Sequence, residues 1–227
     1  NPKKIRSAIK KTLIKSKTYE IPNRSSAIKK AILELKIGDI LIIAGKGHED
    51  FQIYGKEKKL FSDKKNILES IKVKNKYLFN DLKLNILKEL SGSKNISLKT
   101  KINNASINSK EIKKNDLFFA IKGKNRNGNS FVREAFKKGA SLAVVNKQKK
   151  IFNQIKVKDT LKFLTDASVL LRENTHSKII AITGSCGKTS VKEMVGETLD
   201  KISNATYSKK SFNNKFGVPL SLFNLKQ

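Results

Sequence analysis

Apolar residues recur every three or four positions in several segments of this 227-residue chain, separated by lysines and other polar residues. Residues at that spacing share one face of a helix, so the pattern predicts amphipathic helices. Ser25 or Ser26 is the expected N-cap of the second helix. The predicted helices are Ile5 to Ile14, Ser25 to Leu35, Lys64 to Ile71, Leu78 to Leu90, Phe131 to Lys138 and Thr189 to Lys201.

Short continuous apolar runs lie between these helices. Runs of about five residues flanked by glycine or polar residues are typical of buried strands. Because strands alternate with helices along the whole chain, the sequence predicts α/β architecture throughout. The predicted strands are Ile40 to Ala44, Asp116 to Ile121, Ser141 to Val145 and Lys178 to Thr183.

The lysine-rich stretch Lys72 to Lys76 is the predicted linker, and a second boundary is expected near Ser177. These boundaries divide the chain into domains at residues 1–73, 74–176 and 177–227. The chain begins Asn1-Pro2 without an initiator methionine or the apolar core of a signal peptide, so we interpret it as an internal piece of a longer polypeptide. No apolar run approaches the roughly 20 residues that span a bilayer.

The formal net charge of +30 is the strongest compositional signal. Such a charge suits a polyanionic partner, and a lysine-rich nucleic-acid-binding protein is one alternative. However, 44 of the 49 basic residues are lysines scattered along the chain, whereas specific readers of nucleic acid rely on arginine. We therefore expect no specific nucleic-acid partner. The single cysteine excludes an intrachain disulfide, and a cytoplasmic location is the default expectation.

The segment from Thr183 to Ser190 predicts a phosphate-binding loop between a strand and a helix. Small residues allow backbone N–H groups to surround phosphate oxygens, and the helix directs its positive end toward them. Lys188 would hold the outer phosphates of ATP, and the Thr189 hydroxyl would coordinate Mg²⁺. Ile182 replaces the first glycine of the general P-loop pattern, so the loop is a shorter variant. The predicted ATP-binding residues are Thr183, Gly184, Ser185, Cys186, Gly187, Lys188, Thr189 and Ser190.

Other candidate groups carry weaker signals. Cys186 is interpreted as a backbone contributor rather than a reactive thiol, because no base or second cysteine is near it in sequence. His48, Glu49 and Asp50 are adjacent, and adjacent residues rarely converge on one metal ion. The paired amides of Asn213 and Asn214 suit either a plain loop or hydrogen bonds to a nucleotide or sugar, and their spacing does not decide between these.

Taken together, these motifs resemble the Mur ligase family, the amide-forming enzymes of peptidoglycan synthesis. The run Ile42 to Gly55, followed by Phe61-Ser62-Asp63, is similar to the C-terminal, Rossmann-like domain of the members that add diaminopimelate. By this resemblance Gly45 and Glu49 would hold the distal amino group of diaminopimelate. The family's Asp-Asn-Pro-Arg motif is absent, and the chain is expected to begin after it.

From about Tyr77 onward the chain resembles the N-terminal part of the members that add D-alanyl-D-alanine. The residues Asp116 to Gly123 match the domain that receives the UDP-N-acetylmuramoyl (UDP-MurNAc) peptide, and Ile182 to Met194 matches the start of the P-loop central ATPase domain. The resemblance implies that the UDP-MurNAc-peptide is bound by Asn108, Ser109, Lys110, Asn127, Asn213 and Asn214.

The resemblance implies a fused, bifunctional ligase that uses ATP and Mg²⁺ to add diaminopimelate and D-alanyl-D-alanine to UDP-MurNAc-peptides through an acyl phosphate. Lys188 and Thr189 would be its catalytic residues within this chain. We expect the 227 residues to be a junction fragment that is inactive alone. An unrelated P-loop NTPase is the enzymatic alternative, but it leaves the first 72 residues unexplained.

Overall fold

The computed structural model describes residues 2–12, 18–36, 38–46, 49–93, 96–97, 99–123, 126–147, 153–203, 205–208 and 214–225. The chain forms two compact units, Asn1–Lys76 and Tyr77–Gln227. Each unit is described separately.

The first unit begins with two helices, α1 (Pro2–Thr12) and α2 (Arg24–Glu34). Both were predicted from apolar spacing; residues 13 and 14 of the first prediction lie outside the described ranges. The predicted cap of α2 was wrong. Asn23 has extended backbone angles, and its side-chain oxygen accepts a hydrogen bond from the Ser26 backbone N–H at 2.9 Å. Asn caps helices as well as Ser does, so the helix begins at the residue after it.

The predicted strand Ile40 to Ala44 is not a strand in the structure. Ile40 and Ile42 are 88% and 82% exposed, and among the described residues no neighbouring strand pairs with this segment. A strand needs a hydrogen-bonded neighbour, which a local apolar run does not supply. The sheet of this unit is instead an antiparallel hairpin of β1 (Phe51–Tyr54) and β2 (Glu57–Leu60), which was not predicted.

Helix α3 (Asp63–Ser91) runs for 29 residues and includes the predicted linker Lys72 to Lys76. The predicted linker is therefore helical, and the boundary between the two compact units lies at its end, between Lys76 and Tyr77. Lysine is a good helix former, and α3 contains neither glycine nor proline, so a change in polarity alone does not end the helix. No helix within the described residues is long and apolar enough to cross a membrane.

The second unit contains a parallel sheet in the order β3-β4-β5-β6. Leu117 pairs with Leu142 and Phe119 with Val144 between the two central strands, so these strands end at the same edge. The predicted strand at Ser141 to Val145 is confirmed, whereas the strand predicted from Asp116 to Ile121 ends at Phe119. The strands are β3 (Ala105–Ser106), β4 (Asp116–Phe119), β5 (Ala140–Val145) and β6 (Gln154–Lys156).

Alternate residues of the central strands enter two separate cores. Leu117 and Phe119 pack with α3, α5 (Thr160–Glu173) and α7 (Gly217–Phe223) on one face. Phe118 and its neighbours pack with α4 (Val132–Lys137) on the other face. Burial on both faces explains the continuous apolar runs of β4 and β5. Helix α5 and strand β6 were not predicted, although Asp159 caps α5 by accepting hydrogen bonds from the N–H groups of residues 161 and 162.

The C-terminal segment contains α6 (Lys188–Ile202), which was predicted, and α7, which was not. The strand predicted from Lys178 to Thr183 is wrong: Ile179 and Ile180 are 45% and 62% exposed, and no described strand pairs with them. As at Ile40 to Ala44, an apolar run without a hydrogen-bonded neighbour does not form a strand.

Helix α7 is fastened to the sheet of the second unit. The Asn224 side chain accepts a hydrogen bond from the Ala105 backbone N–H at 2.6 Å and donates one to its carbonyl at 2.8 Å, as a neighbouring strand would. The Phe223 ring is fully buried and meets Phe119 edge to face, with ring centroids 5.7 Å apart. The buried Ser168 hydroxyl donates to the Pro219 carbonyl at 2.7 Å. This helix is thus part of the core.

Lys83 lies inside this core and is only 2% exposed. Its ammonium group sits 4.6 Å from the centre of the Phe79 ring and 5.2 Å from that of Phe223. Two aromatic faces attract the cation but do not replace its hydration. Burial therefore lowers the pKa of Lys83 to about 8, although the negative charge of Asp116 acts in the opposite direction.

We predict that Lys83→Met stabilises the protein at pH 7 by up to about 3 kcal/mol. This is the free energy needed to keep the buried ammonium group charged when its pKa is lowered from 10.5 to about 8. The unfolded state keeps the ordinary lysine pKa of 10.5. Between pH 8 and 10.5 it therefore binds more protons than the folded state, and the wild type gains stability relative to the variant. Urea unfolding of both proteins at several pH values measures this difference. A variant less stable by the same amount at every pH would contradict the prediction.

Candidate functional site

The predicted phosphate-binding loop leads directly into α6. Gly187 is the N-cap of α6 and has a left-handed conformation (φ 74°). Gly184 has φ 152°, a value that residues other than glycine rarely adopt. Because the N-cap residue is a glycine, no side chain covers the first N–H groups of this 15-residue helix. The loop therefore presents uncapped N–H donors and a helix N-terminus together, which suits a phosphate group.

Lys188 is the first residue of α6, and its side chain folds back over the loop. Its ammonium group donates hydrogen bonds to the carbonyl oxygens of Gly184 and Ser185, the second at 3.0 Å. Thr189 follows it in the first helical turn, and Cys186 is exposed in the loop. The structure thus brings the predicted cation, hydroxyl and glycines together at the start of α6.

The predicted substrate residues of the second unit lie at the carboxyl edge of the parallel sheet. Asn108 follows β3, and Asn127 follows β4. Ligands of open α/β sheets bind beyond the carboxyl ends of the strands. The topology therefore brings these two amides to the position where a ligand is expected.

The Asn108-Ser109-Lys110 segment is held mostly by contacts within the protein. The Asn108 side-chain oxygen accepts a hydrogen bond from the Lys110 N–H at 3.1 Å, and its amide donates to Glu111 at 3.2 Å. Ser109 is buried and donates to Glu134 at 2.9 Å. Ser109 therefore shapes the turn, and Lys110 is the residue of the three whose exposed side chain is available to a ligand.

Three asparagine amides connect the ends of β4 and β5. The buried Asn129 amide nitrogen donates to the side-chain oxygens of Asn127 at 2.7 Å and of Asn146 at 2.6 Å. Neither Asn129 nor Asn146 was predicted as a functional residue. A polar residue directly after the apolar run of β5 was the available signal for Asn146, but the sequence does not show that β5 lies beside β4.

Gly128 allows this turn to cross the end of β4. A Cβ atom at this position would lie 2.5 Å from the Ala120 carbonyl carbon and 2.6 Å from the Ile121 nitrogen. The Gly128 N–H also donates to the Ile121 carbonyl at 3.0 Å. Only glycine permits so close an approach of two backbone segments.

The structure describes one of the two predicted amides near α7. The Asn214 oxygen accepts hydrogen bonds from the N–H groups of Phe216 and Gly217, both at 3.0 Å, and so orders the start of α7. Asn213 lies outside the described residues.

In the first unit, the predicted amino-acid site lies within Gly45 to Asp50, and Gly47 and His48 of this segment lie outside the described residues. The Lys46 ammonium group lies 3.3 Å from the Glu49 carboxylate and also donates to the Phe51 carbonyl. The Glu49 side chain remains 55% exposed. Its carboxylate is therefore accessible, although it is already paired with one cation. Within the described residues, no three histidine, cysteine or acidic side chains are grouped as metal ligands.

Arg24, the first residue of α2, connects this segment to the start of α3. Its guanidinium donates to both oxygens of Asp63, at 2.8 and 2.6 Å, and to the Ala44 carbonyl at 2.9 Å. The hydrogen bonds from Arg24 lower the pKa of the Asp63 carboxyl below its ordinary value of 3.8. This pair leaves no local signal in the sequence, because its members are 39 residues apart.

Two segments match known protein families. Residues 101–177 match "Mur ligase family, catalytic domain", and residues 182–227 match "Mur ligase middle domain". Together these segments make up more than half of the chain.

The similar proteins are named for two different Mur ligase reactions. A UDP-N-acetylmuramoyl-tripeptide--D-alanyl-D-alanine ligase of Buchnera aphidicola subsp. Baizongia pistaciae is 39% identical over 129 residues, which are 56% of this chain and 28% of that protein. A UDP-N-acetylmuramoyl-L-alanyl-D-glutamate--2,6-diaminopimelate ligase of Rickettsia montanensis is 40% identical over 100 residues, 43% of this chain and 20% of that protein.

A crystal structure of MurF from Acinetobacter baumannii has a similar fold, with a TM-score of 0.53 and 29% identity over 62% of this chain and 32% of that one. The chain spans less than a third of the length of the curated relatives described above.

We predict that Asp63→Asn lowers the free energy of unfolding of the first unit by about 1–2 kcal/mol at pH 7, because the amide cannot form the charged, bidentate contact with Arg24. Because the pKa of Asp63 is lowered in the folded state, the extra stability of the wild type is fully present above the ordinary carboxyl pKa of 3.8. It disappears as the pH falls through the lowered value. Hydrogen exchange of α2 amides from pH 7 to pH 3 measures the effect. Glu57→Gln, which removes an exposed ion pair with Lys59, is the control and should change little.

We expect Gly128→Ala to lower the free energy of unfolding by about 2–3 kcal/mol, since the new methyl group meets backbone atoms that have no rotamer to change. Gly123→Ala in the same loop is the matched control, because its Cβ would meet its nearest neighbour at 3.4 Å. Equal urea midpoints for the two variants would show that the close crossing at Gly128 is not needed.

Proposed function

This chain belongs to the Mur ligase family, and from that premise we propose that it takes part in ATP-dependent amide bond formation on UDP-MurNAc-peptides, in the synthesis of peptidoglycan precursors. The observation that carries the proposal is the uncapped, glycine-containing loop before α6, which lies within the segment that matches the middle domain of the family. We propose ATP as the nucleotide bound there.

In this proposal the loop holds the phosphates of ATP. The uncapped N–H groups at the start of α6 donate to phosphate oxygens, and the Lys188 ammonium exchanges the Gly184 and Ser185 carbonyls for the outer phosphates. Both changes place positive charge where negative charge must be neutralised during phosphoryl transfer. Cys186 contributes its backbone.

The Thr189 hydroxyl fits a magnesium ion, since it is a hard oxygen ligand in the first turn after the phosphate-binding loop. Bound there with ATP, Mg²⁺ would supply charge neutralisation for transfer of the terminal phosphoryl group to a substrate carboxylate. The transfer releases ADP and gives an acyl phosphate; an amine then attacks its carbonyl carbon, and phosphate leaves as the amide forms. Lys188 and Thr189 are therefore the catalytic residues that we propose within this chain.

The carboxyl edge of the parallel sheet supports a role in binding the UDP-MurNAc-peptide. Asn127 and the exposed Lys110 offer N–H donors and a positive charge beyond the ends of β3 and β4. Asn108 and Ser109 shape the turn that presents Lys110, and Asn214 orders the start of α7. We propose D-alanyl-D-alanine as the amine substrate of the ligase to which the second unit belongs, in line with the name of the similar protein of Buchnera aphidicola.

For the first unit we propose that the Gly45 turn binds diaminopimelate. The exposed Glu49 carboxylate suits the ammonium group of that amino acid, which would take over the partner role of Lys46. The nucleotide-linked substrates and ATP make the cytoplasm the proposed location of both reactions.

The experiment that tests the nucleotide site is a titration of the 227-residue chain and its Lys188→Ala variant with ATP and Mg²⁺. We predict at least a tenfold loss of affinity, or about 1.4 kcal/mol, because a charge-assisted contact to phosphate is removed. Lys201→Ala, a change of the same kind in the last turn of α6, is the control and should bind ATP as the wild type does.

Equal affinity of the wild type and Lys188→Ala would overturn the assignment of the loop. A second titration with duplex DNA addresses the charge of the chain: DNA binding that weakens steeply as salt increases is expected from scattered lysines. Tight binding that persists in high salt would favour a nucleic-acid-binding function instead.

A further inference from the structure

The side chain of Asn129 is completely occupied by its neighbours. It is only 8% exposed, its two amide hydrogens go to the side-chain oxygens of Asn127 and Asn146, and its own oxygen accepts the Lys147 backbone N–H at 3.2 Å. A buried amide with every donor and acceptor used has a single orientation. Asn129 therefore fixes which way both neighbouring amides face.

That orientation leaves two amide nitrogens directed away from Asn129. Because the oxygens of Asn127 and Asn146 are turned toward it, the –NH₂ groups of both residues point elsewhere, and among the described residues neither has a hydrogen-bond acceptor. Asn127 is exposed and Asn146 is half-buried, so solvent and ligands reach both. The pair offers up to four N–H donors at one place.

The surroundings of the pair favour a ligand rich in acceptor oxygens. Asn127 lies beyond the end of β4 and Asn146 directly follows β5, which are hydrogen-bonded parallel neighbours. Lys122, Arg126 and Lys147 flank the two asparagines in sequence. The acidic residue that follows the neighbouring strand β6, Asp159, has a carboxylate oxygen engaged by the first N–H groups of α5. Neutral donors among positive charges suit phosphate or carbonyl oxygens and disfavour cations.

We propose that Asn146 is a further substrate-binding residue, which acts with Asn127 as a pair of amide donors to the oxygens of the nucleotide end of the substrate. Asn129 is the positioning residue that orients both. This inference rests on the proposed function, since it concerns the carboxyl edge of the parallel sheet, which is the proposed substrate edge. It adds a residue from β5 to the expected set from β3 and β4.

The Asn146→Asp substitution tests ligand binding without disturbing the fold. Its carboxylate keeps the oxygen that accepts the Asn129 hydrogen bond, so the local structure is retained. It removes both outward N–H donors and adds a negative charge, which repels an acceptor-rich ligand. A leucine at this position would leave an Asn129 hydrogen unsatisfied and would therefore mix the two effects.

The test is a titration of the wild-type chain and of Asn146→Asp with a UDP-MurNAc-tripeptide and, separately, with UDP. We expect the variant to lose at least about tenfold in affinity for both probes, while its urea unfolding midpoint stays close to that of the wild type. Asn127→Asp should show a similar loss. Asn85→Asp, which puts the same charge on an exposed face of α3, should bind as the wild type does.

The outcomes separate this inference from the proposed function. If the wild type binds neither probe, the proposed substrate edge is wrong and the inference fails with it. If the wild type binds and Asn127→Asp weakens binding but Asn146→Asp does not, only the inference is overturned. A loss seen with the tripeptide but not with UDP would overturn the assignment to the nucleotide end.

Discussion

The pairing of β4 with β5 is the constraint on which the second unit depends. Their parallel register sends alternate residues into two cores and ends both strands at one edge of the sheet. Residues 127 and 146, nineteen positions apart in sequence, can therefore share a third amide between them. Without this register the three asparagines would be separate polar residues on separate loops. The candidate substrate edge is thus a consequence of strand pairing rather than of any local motif.

Helix α7 shows how a short segment becomes part of a distant core. It has seven residues, too few to be stable as an isolated helix. Its stability comes from Phe223 against the sheet, the Asn224 amide that pairs with Ala105 as a strand would, and the Ser168 hydroxyl on its backbone. The buried Lys83 cation between two rings works against this packing, because aromatic faces do not replace water. Packing at the same core also positions Asn214, at the start of the helix.

Several elements with a local signal were predicted, including β5, whereas the contacts between residues distant in sequence were missed. A local signal was not always sufficient, since α5 was missed although its capping residue Asp159 directly precedes it. Helix α6 and its glycine loop follow from local spacing and from small residues, and both were predicted. The segments Ile40 to Ala44 and Lys178 to Thr183 have the composition of strands, yet neither has a hydrogen-bonded neighbour in the described structure. The same reasoning explains why Arg24–Asp63 and Asn129–Asn146 were missed. Hydrogen bonds of high sequence separation leave no periodic signal in a single sequence.

The charge of +30 and the asparagine amides have different physical roles. Exposed lysines attract any anion, and this attraction is screened within about 10 Å at ordinary salt. It raises the local concentration of nucleotides without distinguishing one from another. Discrimination requires directed donors whose geometry is fixed, and a buried amide such as Asn129 provides that without adding charge. In a chain so rich in lysine, selective recognition at the sheet edge is therefore expected to depend on its neutral side chains.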